Sequence, residues 1–166
     1  MTKKRIIILA IVGVLSMVAV GGAFAQTTAV LNLQGTIAEN IAISVFDAGA
    51  NSLDLTTTAV DVKIADAYET SNVYNGYTIK IASTNGAAGS GLLQGTPGNP
   101  DTVTYTIKYD TVVADLTGVL AVKTVGPGIK SDGSTAVDVE ISYTAVAADF
   151  FADDYTDDLT FTITAQ

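Results

Sequence analysis

The residue types that carry most enzyme and metal chemistry are absent from this chain, which has no histidine and no cysteine. A Ser-His-Asp triad, a cysteine nucleophile and a thiolate or imidazole metal site are therefore excluded. Paired carboxylates can still hydrolyse glycosides, but such sites usually have aromatic walls, and the chain has no tryptophan. We therefore expect a protein that is not an enzyme and that uses no cofactor.

Carboxylates are crowded near the end of the chain, at Asp153, Asp154, Asp157 and Asp158. Oxygen-rich clusters of this kind can hold Ca²⁺ in secreted proteins, although the spacing matches no EF-hand loop. The alternative is a solvated turn in which the carboxylates accept hydrogen bonds from backbone amides. The sequence leaves both interpretations open, and we assign no metal site.

Seven tyrosines are the remaining candidates for chemistry, as a platform for a sugar. Four of them fall on the apolar positions of alternating segments and are predicted to be core residues with the hydroxyl at a rim: Tyr77, Tyr105, Tyr109 and Tyr143. The other three stand at loop or strand-end positions and are predicted to be exposed: Tyr68, Tyr74 and Tyr155.

The elements that position these side chains are predicted to be strands, because apolar residues recur with a period of two. The segments "TVTYTIKYD", "TAVDVEISYTAV" and "DLTFTITAQ" are typical examples. Glycine, asparagine, aspartate and proline separate seven to eight such segments, and none has a helical period. The pattern predicts an all-β, immunoglobulin-like antiparallel β-sandwich.

One alternating segment is unusually long. Residues 29–45, "AVLNLQGTIAENIAISV", place Leu31, Leu33, Gly35 and Ile37 on one face and polar or small residues on the other. The pattern predicts a strand of about 17 residues, whereas ordinary strands have about 5–6.

Residues 1–25 precede this segment and have the three parts of a secretory signal peptide: Lys3 to Arg5, the apolar run 6–20, and Ala23-Phe24-Ala25. The apolar run is too short to span a bilayer readily. We therefore predict cleavage before Gln26, with no membrane span afterwards. The five basic and 17 acidic residues that remain give a net charge of −12, which argues against nucleic acid as a partner.

The two ends of the predicted mature chain resemble those of chaperone–usher pilin subunits. "VLNLQGTIAENIAISV" looks like their N-terminal extension, and "YTDDLTFTITAQ" at 155–166 resembles their closing strand. The resemblance implies a fibre subunit, secreted to the periplasm, the cell surface or a fimbrium, that assembles with copies of itself through a periplasmic chaperone and an usher. In such pilins the extension fills a groove in the next subunit.

On this interpretation residues 26–38 are a donor strand whose groove-facing residues are Leu31, Leu33, Gly35 and Ile37, and residues 39–166 are the sandwich. The chain departs from the pattern in lacking the disulfide of many pilins. The alternative is a first strand that stays within its own domain. The product would then be a monomeric secreted module that binds a carbohydrate or a protein.

Overall fold

A computed structural model of the chain describes residues 29–49, 52–145 and 147–166. The expected signal peptide therefore lies outside the described residues. The described part contains a short 3₁₀ helix, Ala147–Asp149, and nine strands: β1 (Ile41–Asp47), β2 (Ala59–Ser71), β3 (Tyr77–Ser83), β4 (Gly91–Gln94), β5 (Thr102–Tyr109), β6 (Val112–Val113), β7 (Lys123–Val125), β8 (Ser131–Tyr143) and β9 (Leu159–Ala165). Among these residues, none of the helices has the length and apolar character that crossing a membrane requires.

The strands form two antiparallel sheets around one core, which confirms the predicted all-β sandwich. The larger sheet has the order β1-β2-β8-β5-β4, with β6 paired to β5, and the smaller has the order β7-β3-β9. Within the described part, residues 29–36 belong to a separate unit from Ile37–Gln166. All nine strands belong to the second unit.

Two ends of the sandwich can be distinguished from the strand registers. Ile41 pairs with Ser71, and Tyr77 pairs with Ala165, so the start of β1 and the end of β9 lie at one end, which we call the terminal end. The opposite end, which we call the loop end, holds Asp47, Thr102, Tyr143 and Leu159. Because β1 runs away from the terminal end and β9 runs towards it, the two strands have opposite directions.

The core follows the predicted alternation. The inward residues of β5 are all buried, as are Val139, Ile141 and Tyr143 of β8. The predicted burial of Tyr77, Tyr105, Tyr109 and Tyr143 is confirmed. The prediction that their hydroxyls lie at a rim was wrong for Tyr77 and Tyr109, which donate to the buried Glu69. The hydroxyls of Tyr105 and Tyr143 are part-buried and donate to Asp157 and to the carbonyl of the exposed Asp54.

The long first strand was predicted with the wrong start. The strand begins only at Ile41, and no ladder includes residues 29–40. A strand needs a neighbour for its main-chain hydrogen bonds, and alternation in the sequence does not supply one. The sandwich also has two short strands, β4 and β6.

Candidate assembly site

One long side of the sandwich is open. Among the residues that the structure describes, β1 pairs with β2 only, and β9 pairs with β3 only. The two strands nevertheless lie beside each other, with Cα atoms within 8 Å and no ladder between them. Each therefore directs one row of main-chain donors and acceptors to an unpaired side. We call this side the β1–β9 edge.

The core is incompletely covered along the β1–β9 edge. The inward side chains of β9 are Leu159, Phe161 and Ile163, and each is only half-buried although it packs on the core. Ile41 and Ile43 of β1 are half-buried in the same way. Large apolar side chains that contact the core yet stay accessible mark a place where another apolar surface can be buried.

The N-terminal segment, residues 29–36, forms no regular structure. Its large apolar side chains are accessible: Leu31 is 82% exposed and Leu33 is 84% exposed, while Ile37, at the start of the second unit, is 90% exposed. A side chain built on Gly35 would meet no atom within 4 Å. The fold of a single copy therefore gives no steric reason for glycine at this position.

Asn72 fixes the place where the chain enters β1. Its side-chain oxygen accepts a hydrogen bond from the Asn40 amide at 2.6 Å, and its side-chain nitrogen donates to the Ala38 carbonyl at 2.8 Å. Its backbone amide donates to the Asn40 carbonyl at 3.0 Å. Residues 38–40 are therefore held at the terminal end.

The structure describes all four predicted donor residues, Leu31, Leu33, Gly35 and Ile37. Leu31, Leu33 and Gly35 lie in the first unit, and Ile37 begins the second. The side chains of Leu31, Leu33 and Ile37 are exposed. Their contact with a groove in another copy stays a prediction.

The sequence reading missed a buried polar cluster in the closed part of the core. Glu69 of β2 is 3% exposed, and its carboxylate accepts hydrogen bonds from the hydroxyls of Tyr77 at 2.6 Å and Tyr109 at 2.7 Å. The Lys123 ammonium lies 2.8 and 3.0 Å from the two carboxylate oxygens. Tyr77 and Lys123 belong to the smaller sheet, so Glu69 connects both sheets. The only sequence signal was one charged residue in the inward row of β2.

Burial acting by itself would raise the pKa of Glu69. The Lys123 ammonium and the two tyrosine hydroxyls outweigh burial, so the pKa of Glu69 lies below the usual range of a glutamate. Burial and the adjoining carboxylate raise the pKa of Tyr77 to about 12. The cluster therefore holds an ionised carboxylate between neutral hydroxyls at physiological pH.

Two of the four aspartates near the end of the chain, Asp153 and Asp157, accept hydrogen bonds, as in the solvated-turn interpretation. Asp153 accepts from the backbone and hydroxyl of Thr96 and from the side chain of Asn99. Asp157 accepts from the Tyr105 and Ser83 hydroxyls and from the Asn85 amide. Two loops are thereby tied to the segment before β9.

Among solved structures, the chain is similar to a protein described as the E. coli Hda pilus minor tip subunit, HdaB. The sequence identity is 15%, the TM-score is 0.45, and the match covers 76% of this chain and 84% of that one. No family model and no curated protein matches the chain.

Proposed function

We propose that the protein is a structural subunit of a secreted surface fibre, in which the N-terminal segment of one copy occupies the β1–β9 edge of the next. The observation that carries the proposal is that one chain contains both an exposed alternating apolar segment and an unpaired apolar edge. The segment has no strand to pair with, and the edge has main-chain groups and apolar side chains that a strand could cover.

Length and side chains support this pairing. The N-terminal segment together with Ile37 would span roughly 30 Å if it were extended, and β9 spans roughly 24 Å. The extended chain is therefore long enough to cover the whole edge. Leu31, Leu33 and Ile37 share one parity and can face the half-buried core residues together. Burying each such side chain is worth about 1.5–3 kcal/mol, to which a ladder of main-chain hydrogen bonds is added.

Gly35 has the same parity as these leucines. In a neighbouring copy it would face the core where the backbone comes closest, and a larger side chain there would be overpacked. In the proposed route of assembly, the chain is exported across the inner membrane and is then assembled by a periplasmic chaperone and an usher. The fibre would present an acidic surface to the medium.

Deletion of residues 26–36 tests the proposal. The shortened chain keeps the core and the open edge but has no segment to donate. We expect size-exclusion chromatography to show oligomers of the exported chain and a folded monomer of the shortened one. The shortened chain should also bind a synthetic peptide of residues 28–38.

The matched control is the same peptide with Leu31→Asp and Leu33→Asp, which keeps the length and removes the apolar row. If the exported chain is monomeric and the shortened chain ignores the peptide, the first segment is not exchanged between copies. Loss of folding on deletion would indicate instead a strand that belongs to its own domain.

A further inference from the structure

The loop end of the sandwich contains a cleft that the β1–β9 edge does not explain. It has a volume of about 800 Å³, within the usual range for binding pockets. Its floor is apolar, with Leu53, Leu55, Leu93 and Val103. Its rim is the segment 150–157, which carries the exposed side chain of Phe151.

The rim is held in place by its own hydrogen bonds. The Tyr155 hydroxyl donates to the Phe151 carbonyl at 2.8 Å, and the Phe151 amide donates to the Asp101 carboxylate at 2.7 Å. The rings of Phe150 and Tyr155 meet edge to face with centroids 6.2 Å apart. Contacts within the chain therefore fix the shape of the rim.

The residues that line the cleft include three carboxylates, Asp153, Asp154 and Asp157, and no lysine or arginine. Hydrogen bonds from Asn99 and Thr96 hold the pKa of Asp153 at about 2. A concave surface lined by one sign of charge attracts the opposite sign, so the favoured occupant is cationic with an apolar part.

The terminal end of this same chain exposes one lysine beside an apolar side chain, with exposed Asp132 two residues further along. Tyr74, Ile129 and Lys130 are exposed there, and we call them the terminal knob. The Gly128 amide donates to the Tyr74 carbonyl at 2.8 Å, which holds the two loops together. Among the described residues, Lys130 and Lys80 make no ion pair, whereas Lys63, Lys108 and Lys123 each pair with a carboxylate.

The direction of the proposed donor strand brings the knob and the cleft together. Every ladder among the described residues is antiparallel, so we take a segment added to β9 to run antiparallel to it. Such a segment enters the edge at the terminal end and leaves it at the loop end, because β9 runs from the loop end to the terminal end. The donating copy continues from residues 38–40, which Asn72 holds at its own terminal end. The terminal end of one copy therefore meets the loop end of the next.

We propose that the terminal knob of one copy docks into the loop-end cleft of the next, with Lys130 at the rim carboxylates and Ile129 over the apolar floor. The contact rests on the proposed fibre and adds to it a second, side-chain-specific junction. Docking gives the fibre a fixed angle between subunits, because two separate contacts restrain their relative orientation.

A charge exchange between the two surfaces tests this inference. The exported chain is compared by sedimentation velocity with the variants Lys130→Glu, Asp154→Lys and the double variant. Each single change places like charges at the contact, and we expect it to weaken self-association about tenfold or more. The double variant restores opposite charges and should recover most of the loss.

Lys80→Glu is the matched control, since it changes the net charge equally from the middle of β3 and should have little effect. Self-association that is unaffected by Lys130→Glu, or a double variant no better than the single ones, would overturn the docking. Binding of the peptide 28–38 to the shortened chain reports on the β1–β9 edge alone. Retained peptide binding therefore separates failure of the docking from failure of the fibre proposal.

Discussion

β5 and β9 have the same alternation of apolar and polar residues, but their inward side chains are buried to different extents. The inward residues of β5 are sealed between β8, β4 and the smaller sheet, whereas those of β9 stay half-buried beside β1. The difference arises from neighbours rather than from hydrophobicity. β9 therefore has the composition of a core strand and the exposure of an edge strand.

The largest effect is expected in the closed part of the core, at Glu69. Glu69→Ala removes the carboxylate and leaves the Tyr77 and Tyr109 hydroxyls and the Lys123 ammonium without their partner. Breaking a buried pair in this way costs roughly 3–5 kcal/mol. Urea unfolding should show the loss, while Glu39→Ala, the same change at an exposed site, should change the free energy of unfolding by less than about 0.5 kcal/mol. Equal effects at the two sites would mean that the cluster contributes nothing specific.

Isoleucine truncations compare the two strands directly. Ile107→Ala in β5 should cost about 2–5 kcal/mol, because the side chain is fully buried. Ile163→Ala in β9 should cost distinctly less in the shortened chain, because solvent already reaches the side chain. Adding the peptide 28–38 should make the loss of stability caused by Ile163→Ala, measured by the urea midpoint, more similar to the loss caused by Ile107→Ala. A gap that the peptide leaves unchanged would contradict burial of Ile163 by the donated strand.

Two glycines provide a sharper comparison. A Cβ on Gly91 would lie 2.0 Å from the ring of Tyr105, so Gly91→Ala should destabilise a single copy by about 1–3 kcal/mol or more. Gly35→Ala meets open space and should leave the melting temperature of a single copy unchanged. Gly35→Leu should instead reduce the oligomer fraction in size-exclusion chromatography. Normal assembly of Gly35→Leu would remove the proposed reason for glycine.

The smallest effect is the pH dependence of Glu69. Because its pKa is lowered in the folded state, its contribution to stability is fully present above the ordinary pKa of 4.5 and is lost as the pH falls through the lower, folded-state value. The difference in urea midpoint between the natural chain and Glu69→Gln should therefore be constant above about pH 5 and shrink in more acidic solution. A difference that grows on acidification would mean that Glu69 is protonated in the fold.

The sequence predicted the sandwich because strands covered on one face, such as β5 and β8, show the period-two pattern clearly. It did not reveal the polar cluster, because the inward row of β2 is Ala65, Ala67, Glu69 and Ser71, which contains no large apolar residue. It predicted the shared face of Ile41 and Ile43, which pack on the core, but not the strand start at Ile41. Alternation shows which side chains share a face, whereas the partner of a strand depends on the whole fold. The loop-end cleft was missed for the same reason, because its walls come from distant segments.

A disulfide trap tests the central claim most directly, since the chain has no cysteine of its own. Leu33→Cys is combined with Phe161→Cys or with Ile163→Cys in exported protein, and oxidised products are separated by non-reducing electrophoresis. If the segment of one copy lies on β9 of the next, at least one pair should give a ladder of covalent oligomers. Leu33→Cys alone, and Leu33→Cys with the outward Thr162→Cys, should not. Monomers in both test pairs, or an equal ladder with Thr162→Cys, would contradict the exchange of the N-terminal segment between copies.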